Sequence, residues 1–528
     1  MANALSQDSL VEYGSRRVII TLTAIICTLL EIIDSTIVNV ALNDMRGNLG
    51  ATLTEVAWVV TAYAIGNVII IPMTSWLAMQ FGRRNYFAAS VVMFTICSFL
   101  CGNANGIWEL VFFRFLQGLG GGALLATSQT IITEAYPPEK RNMAQAIYGL
   151  GVIVGPTLGP PLGGYIVENY SWPYIFYINI PVGVIATLLT LQFVRNPNYG
   201  KKSAAADIDW LGIFLLALSV GSLQYVLEKG QDDDWFASPF IILFTSTAFL
   251  GTFFFIWREL TFRNPIVNLR VLKNGNLRIG TMLTFLLGFG LYGSTFIIPV
   301  YTQSTLGWTA FQAGMLMVPA ALTTAFLMPI TGMILSKGVP QQFLVSVGMM
   351  FFAIFCFWGY SILTNSTPRE NFFWMLITRG VGLPLLFIPI TSLALSSLKG
   401  PEIGQGVAFT GMMRQVGGSF GVALITTFMA RQNMAHRSTL VTKLNVDNPA
   451  VMGRLHAIQQ GFVAKGMTPD IALQSAYKSI DYSVMSQANV LSYMDVFYYL
   501  GLIFLFCIPF VLFVKTNKQK LKLSDAMH

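Results

Sequence analysis

The sequence predicts an all-α protein that crosses a membrane many times. Of its 528 residues, 54% are hydrophobic and 11% are charged, whereas soluble domains carry about 25% charged residues. The mean hydropathy is +0.62. Apolar runs of about 20 residues, the length at which a helix spans a bilayer, recur about fourteen times along the chain. Together these observations indicate a polytopic membrane protein.

The apolar runs define the predicted transmembrane helices. In chain order they cover approximately residues 18–41, 55–78, 86–103, 107–133, 143–167, 173–194, 209–227, 239–257, 279–302, 311–335, 342–363, 371–396, 405–429 and 492–514. All five cysteines lie within apolar runs, so we expect neither a disulfide framework nor a metal site. The first run follows Arg16 and Arg17, and we expect it to remain as a membrane anchor.

The basic residues predict the orientation. An even number of spans places both termini on one side, where the loops hold twenty Lys and Arg residues, against three in the opposite short loops. Because short cytoplasmic loops are enriched in Lys and Arg, we expect both termini in the cytoplasm. This topology accounts for the net charge of +8, so nucleic-acid binding is not needed to explain it.

Two acids lie within the first predicted span. Glu31 and Asp34 are three residues apart and therefore share one helix face. Charges at membrane depth are costly, so acids there are candidates for function, although structural pairing with basic groups is an alternative. Arg114 on the fourth span lies about 11 Å from its outer end and Asp34 about 12 Å from that of the first span, at about 1.5 Å per residue. Equal depth makes a contact between them possible.

The fifth span has an unusual glycine pattern. Four glycines recur at intervals of four residues, and two prolines repeat at the same spacing: Gly151, Gly155, Gly159, Gly163, Pro156 and Pro160. This spacing puts the glycines on one helix face, where a neighbouring backbone can approach closely. We expect a packed, kinked transmembrane helix at a moving interface. A general small-residue packing face is the alternative.

Several stretches resemble motifs of a known family. Residues 34–42 resemble the D-x-T-I-V-N-V-A-L signature, and the run from Gly151 to Gly164 resembles the G-x-x-x-G-P-x-x-G-G antiporter motif. Residues 114–118 resemble R-x-x-Q-G, and residues 172–183 resemble W-x-x-I-F-x-I-N-x-P-x-G. On these motifs the chain is identified as a member of the 14-helix drug:proton antiporter family (EmrB/QacA-type) of the major facilitator superfamily.

A further stretch, residues 75–84, resembles the loop motif G-x-L-A-D-R-x-G-R-R, with departures. Ser75 replaces the first glycine, Met79 the acid and Gln80 the first arginine, while Gly82, Arg83 and Arg84 are retained. These three residues predict a tight basic turn. We expect the two arginines to contribute to the orientation of the protein in the membrane, as basic residues of a cytoplasmic loop.

The resemblance implies a major facilitator fold of two six-helix bundles with two inserted linker helices. The implied domains are residues 1–195, residues 196–265 for the inserted pair, and residues 266–528 for the second bundle. Arg379 and Arg414 are the candidate residues of the second repeat. The second bundle includes an extracytoplasmic segment, 430–491, in which we expect a helix from Thr468-Pro469 to about Asn489 and another helix that begins at Pro449.

The resemblance also implies proton-driven export of lipophilic compounds, with the proton as coupling ion and no other cofactor. Asp34 would carry the proton, and Arg114, with Gln117 beside it, would tune it. Glu31 would pass the proton on or bind a cationic substrate. The segment 430–491 would dock a periplasmic adaptor (EmrA-like) and, through it, an outer-membrane channel (TolC-like), or would form a self-packed cap. Alternatives are a proton-coupled uptake symporter, a non-transporting receptor or a membrane enzyme, although all three histidines lie outside the predicted spans.

Overall fold

The computed structural model describes residues 10–197, 208–445 and 447–512, and within them the backbone forms helices and no β-strand. Part of the predicted segment 196–265, residues 198–207, and the lysines after Val514 lie outside these ranges. The first eight helices are α1 Gly14–Asn48, α2 Leu53–Ile70, α3 Thr74–Phe81, α4 Arg83–Gly102, α5 Ile107–Ala135, α6 Arg141–Asn169, α7 Tyr174–Tyr177 and α8 Asn179–Phe193.

The remaining helices follow in the second half of the chain. They are α9 Trp210–Lys229, α10 Pro239–Thr261, α11 Gly275–Ser304, α12 Ala310–Ser336, α13 Gln341–Ile362, α14 Asn371–Leu395, α15 Pro401–Thr442, α16 Pro449–Val463 and α17 Pro469–Leu512. Short 3₁₀ turns connect some of them, including Ile71–Met73 between α2 and α3. The all-helical prediction is confirmed.

Thirteen candidate membrane spans are present among the described residues, and they correspond to thirteen of the fourteen predicted ones. The remaining prediction, 405–429, lies inside α15, which is 42 residues long. Gln405, Arg414 and Gln415 interrupt the apolar character of this helix. Mean hydropathy therefore does not identify α15 as a membrane span, although the helix is long enough to cross a bilayer.

The helices pack into two groups. α1 contacts α5, α6 and α8, while α2 and α4 contact α5, and we call α1–α8 the first bundle. α11 contacts α15, while α13 contacts α14 and α17, and we call α11–α17 the second bundle. The bundles meet where α6 contacts α12 and α14 and where α15 contacts α3 and α5. Helices α9 and α10 pack on each other, and α9 also contacts α2 and α15.

The helices of the two bundles end on two opposite sides of the protein, which we name the terminal side and the α16 side. The terminal side is the one on which α1 begins, and Glu12 N donates to Ala135 O there, so α5 ends on this side. The α16 side is the opposite one, beyond the end of α15. These names carry no assumption about the cell.

The segment 430–491 is helical but differs from the prediction. α16 begins at Pro449, where the side chain of Asn448 accepts from Ala450 N, and α17 begins at Pro469. α17 does not end near Asn489 but continues without interruption to Leu512, because no glycine or proline stands between Asn489 and the final apolar run. The outer segment and the last span therefore form one 44-residue helix.

Candidate functional site

A buried polar network surrounds Asp34 in the first bundle. Arg114 Nη1 donates to Asp34 Oδ2 at 2.7 Å, and both side chains are essentially inaccessible. Gln117 Nε2 and Asn179 Nδ2 donate to Asp34 Oδ1 at 3.1 and 2.8 Å. We call these four residues the Asp34 network. Helix geometry places Asp34 and Arg114 at equal depth, and the structure brings them into contact.

The local sequence holds the guanidinium of Arg114 in place. Arg114 and Gln117 are one turn apart on α5, and Arg114 Nη1 also donates to Gln117 Oε1 at 2.9 Å. α2 approaches α5 so closely that a Cβ at Gly118 would overlap Tyr63 O. This approach places the Tyr63 ring 4.0 Å from the Arg114 guanidinium carbon and lets Arg114 Nε donate to Val59 O at 3.3 Å.

Glu31 lies outside the Asp34 network, one turn nearer the terminal side. Its Oε1 accepts from Asn67 Nδ2 at 2.7 Å and from the Tyr63 hydroxyl at 3.4 Å. Its Oε2 is buried and has no hydrogen-bond partner among the described residues. Tyr63 therefore contacts both acidic sites, with its ring on Arg114 and its hydroxyl on Glu31.

No motif in the sequence points to Asn179, Tyr63 or Asn67 as a residue of the site. Asn179 belongs to a motif that was matched to the sixth span, but nothing in that motif shows that its side chain reaches Asp34. Asn67 is the only asparagine in the apolar helix α2. A lone amide at membrane depth is the signal that would have pointed to it.

The glycine face of α6 packs against α1. A Cβ at Gly155 would lie 2.6 Å from Ile32 Cγ2, and one at Gly159 would overlap the Thr36 side chain and lie 3.1 Å from Ile37 N. Gly151 and Gly163 face α1 in the same way, against Thr28 and Ile37. α6 stays helical through Pro156. Its glycines allow a contact with α1 that is too close for any larger side chain.

The other side of α6 contacts the second bundle near both of its ends. Toward the α16 side, a Cβ at Gly164 would lie 3.3 Å from Phe311 Cβ, and one at Gly314 would lie 2.5 Å from Pro161 Cδ. Toward the terminal side, Ser392 Oγ donates to Asn142 Oδ1 at 2.6 Å. α6 is thus held between α1 and the second bundle along its length.

The predicted basic turn is present, but its two arginines differ. Gly82 has φ +83°, a conformation that favours glycine, and Arg84 N donates to Asn196 Oδ1 at 2.9 Å. Arg84 is exposed. Arg83 is buried, and its Nη1 and Nη2 donate to Glu134 at 2.6 and 3.1 Å. Arg83 therefore has a buried ion pair with Glu134 on α5, in addition to the contribution to topology expected of both arginines.

Arg379 occupies the position in the second bundle that Arg114 has in the first. It donates from Nε to Ser294 Oγ at 2.9 Å and from Nη2 to Thr295 Oγ1 at 2.6 Å. Thr295 comes 20 residues after the start of α11, as Asp34 comes 20 residues after the start of α1. The described residues include no carboxylate in an ion pair with Arg379, so hydroxyls replace the acid in this repeat.

Arg414, the other second-repeat candidate, is buried at the interface of the bundles. Its Nη2 donates to the Tyr148 hydroxyl of α6 at 3.3 Å, and its guanidinium carbon lies 5.7 Å from the Phe387 ring centre. Its Nη1 has no hydrogen-bond partner among the described residues. The structure thus separates the predicted site residues into the Asp34 network, Glu31, Arg379 and Arg414.

A profile described as Major Facilitator Superfamily matches residues 24–422. The chain belongs to this superfamily. It is 33% identical to the multidrug export protein EmrB of Escherichia coli K12 over 95% of this chain and 96% of that protein. It is 31% identical to the fatty acid resistance protein FarB of Neisseria gonorrhoeae over 94% of this chain and 96% of that protein.

A solved structure of the proton:xylose symporter XylE has the same fold. Its TM-score is 0.59 at 16% identity, and the match covers 94% of this chain and 96% of XylE. The predicted major facilitator fold is confirmed, and among its members this chain is EmrB-like.

Proposed function

We propose that the protein exports lipophilic small molecules across the cytoplasmic (inner) membrane in exchange for protons. The observation that carries this proposal is the Asp34 network, an ionisable carboxylate buried in a membrane bundle and bound to an arginine from another helix. Intramembrane ion pairs of this kind mark proton and substrate pathways. Membership in a transporter superfamily favours a carrier over a receptor or an enzyme.

Protonation of Asp34 provides a coupling step. A proton on this carboxylate removes its charge and weakens its ion pair with Arg114, which leaves the guanidinium to its neutral partners Gln117, Tyr63 and Val59 O. α1 carries Asp34 and packs on the glycine face of α6, which in turn contacts the second bundle. A shift of α1 on protonation therefore passes directly to the interface that must open and close during alternating access.

The direction of transport follows from the charge distribution and from the relatives. The positive-inside rule assigns the terminal side to the cytoplasm, with both termini there. The names of the two relatives, multidrug export and fatty acid resistance, support lipophilic substrates that leave the cell.

The segment beyond the membrane on the α16 side would dock a periplasmic adaptor, EmrA-like, and through it an outer-membrane channel, TolC-like, in a host that has an outer membrane. Among the described helices, α16 makes its substantial contacts with α17. The outer part of α17 contacts α15 through Arg437 and Asp481, at 2.8 Å. A segment that packs mainly on its own bundle fits docking better than a cap that covers both bundles.

A flux assay in inverted membrane vesicles tests the proposal. Accumulation of a lipophilic fluorescent substrate should require an imposed proton gradient, acid inside, and should collapse when a protonophore is added. Proton-driven movement in the opposite direction would indicate the uptake symporter. No flux of any substrate in the presence of the gradient would favour the receptor or the enzyme.

A further inference from the structure

The loop that joins α10 to α11, residues 262–274, carries positive charge that its surroundings do not neutralise. Arg263, Arg270 and Lys273 are exposed, and none of them has an ion pair among the described residues. The acid nearest to them in the chain is Glu259, which is fully buried and accepts a hydrogen bond from a backbone N–H of the loop itself. Three exposed cations therefore remain on one short loop.

The loop is held against the helices, so its basic residues have defined positions. Ile266 and Val267 are buried in an apolar cluster between α9, α10 and α15. At the end of the loop, Ser397 Oγ donates to Asn274 Oδ1 at 2.9 Å. Ser397 follows α14, whose end lies on the terminal side, so the loop lies on this side as well.

Arg270 lies at the last turn of α10. Its Nη2 donates to Leu260 O at 3.1 Å, one of the carbonyls at the end of a helix that lack a partner within the helix. Leu269–Lys273 form a 3₁₀ helix, in which side chains three residues apart lie on the same side. Lys273 therefore lies on the same side as Arg270, and the two form a pair of cations at the end of α10.

The outer face of α10 is apolar and is left uncovered by the described residues. Only 22% of its most apolar stretch is buried, the lowest share among the thirteen candidate spans. Phe253, Trp257 and Leu260 are 61%, 59% and 49% exposed, and their spacing puts them on one helix face. This apolar stripe reaches the turn of α10 at which Arg270 binds.

A pair of cations at the end of an exposed apolar stripe fits an amphiphilic anion. A phosphate group binds Arg and Lys through charge-assisted hydrogen bonds, and basic groups beside membrane helices bind lipid headgroups in this way. An acyl chain on the same molecule covers the apolar stripe. A soluble phosphate compound would use the cations but leave the stripe uncovered.

We propose that Arg270 and Lys273 bind the headgroup of an anionic phospholipid whose acyl chain packs along Phe253, Trp257 and Leu260. This site belongs to the inserted pair α9 and α10 and the loop that follows it, outside the Asp34 network. It does not depend on the proposed export function, so the two proposals fail separately.

The test measures quenching of tryptophan fluorescence by brominated lipid, with the purified full-length protein in nanodiscs of phosphatidylcholine. A minor fraction of the lipid is replaced by phosphatidylglycerol with brominated acyl chains or, separately, by brominated phosphatidylcholine. The difference between the wild type and Trp257→Phe isolates the signal of Trp257. Brominated phosphatidylglycerol should quench Trp257 several-fold more than brominated phosphatidylcholine at the same fraction.

Removal of the two cations should remove this preference. A basic residue near an anionic membrane surface favours binding about fivefold, so Arg270→Gln with Lys273→Gln should weaken the apparent affinity for phosphatidylglycerol roughly 25-fold. Arg270→Lys with Lys273→Arg keeps both charges and should retain most of the preference. The matched control, Lys140→Gln with Lys337→Gln, removes two exposed charges from the terminal side and should match the wild type. Circular dichroism of the same samples checks that each variant is folded.

Other outcomes overturn the proposal. Equal quenching by the two brominated lipids would show that no anionic lipid is selected. An equal loss of preference in the Lys140 and Lys337 variant would show an effect of general surface charge rather than a site. Preferential quenching that is not reduced in Trp257→Phe would place the lipid elsewhere. Complete displacement by glycerophosphoglycerol, the headgroup without acyl chains, would assign the two cations to a soluble phosphate compound.

Discussion

The ion pair of Asp34 and Arg114 depends on its neutral neighbours. Taking two charges out of water costs several kcal/mol per ion, and their attraction offsets this only when the other hydrogen-bonding positions are also satisfied. Gln117 and Asn179 satisfy Asp34 Oδ1, while Tyr63 and Val59 O satisfy Arg114. The charge pair can therefore persist at a depth where an isolated acid would be expelled.

Asp34→Asn should abolish proton-driven export while substrate binding persists at least in part, because the amide keeps the shape of the side chain and one accepting oxygen but cannot take up the coupling proton. Loss of the charge partner of Arg114 should also lower stability, by up to about 3–5 kcal/mol. Transport against a gradient and its dependence on external pH are measured in vesicles. Expression and thermal unfolding are measured on the same samples.

Asp44→Asn, at the exposed end of the same helix, serves as the control and should transport normally. If Asp34→Asn still concentrates substrate against its gradient with the wild-type dependence on external pH, the proton site lies elsewhere. Glu31 is then the first alternative, because it is the other buried acid on α1.

At the scale of elements, α6 links the two bundles through its small residues. No hydrophobic driving force acts between helices in lipid, so close packing of backbones and side chains has to hold them together. Glycines on one side of α6 provide this contact with α1, while Pro161 and Gly164 contact α12 on the other. A helix with one broad glycine face can slide on its neighbour without losing its packing, which suits a moving interface.

Gly159→Leu should block transport while the protein remains inserted and expressed. The added side chain would overlap Thr36 and the α1 backbone at Ile37, so α1 and α6 must separate. Leu158→Phe, at the adjacent exposed position on α6, is the control for added volume and should transport normally. Membrane-extracted yield and vesicle flux are compared, and full transport by a well-expressed Gly159→Leu protein would contradict the assigned role of this face.

Because α17 is one continuous helix, deletion of 430–491 would also remove the start of the last span. Replacement of α16 alone, residues 449–463, by a glycine-serine linker of equal length isolates the outer segment. For a docking surface, this variant should lose drug resistance in whole cells but keep flux in vesicles, where no adaptor is required. Loss of both whole-cell resistance and vesicle flux would instead favour the cap.

At the scale of the whole molecule, the bundles contact each other toward both sides of the membrane in this conformation. Helix α9 of the inserted pair also touches both bundles. Tyr225 stacks on Trp58 of α2 with ring centres 5.6 Å apart, and Gln224 Nε2 donates to Ser419 Oγ of α15 at 2.8 Å. The proposed alternating access would therefore require contacts of α6, α9 and α15 to break and re-form.

A cross-link between the bundles should stop the cycle. Cysteines at Asn142 and Ser392, whose side chains are 2.6 Å apart across the interface, should block export when joined by a short bis-methanethiosulfonate, which forms a reducible disulfide with each thiol. Reduction should restore export. Cysteines at Asn276 and Ser396, 3.1 Å apart within the second bundle, form the control pair and should leave export unchanged when joined. Undiminished export by the cross-linked Asn142 and Ser392 variant would contradict alternating access at this interface.

The sequence by itself determined the helical class, thirteen of the fourteen predicted spans, and the glycine face of α6. These properties depend on residues close together in the chain, because hydropathy and helix periodicity are sums over about 20 residues or fewer. The beginnings of α16 and α17 were also predictable, because proline at the first helical position acts locally. The end of α17 was not predictable. The helix continues into the membrane because no glycine or proline interrupts it there, and no residue type marks such a continuation.

Only the tertiary structure decided which buried polar groups are partners. Arg114 meets Asp34 across 80 residues of chain, Asn179 meets it across 145, and Arg414 meets Tyr148 across 266. Such pairs depend on the rotation and depth of helices relative to one another, and local patterns do not contain that information. Equal depth made the contact of Asp34 with Arg114 possible. The packing of α2 gave Glu31 its partners Asn67 and Tyr63, and the packing of α4 on α5 gave Arg83 its partner Glu134.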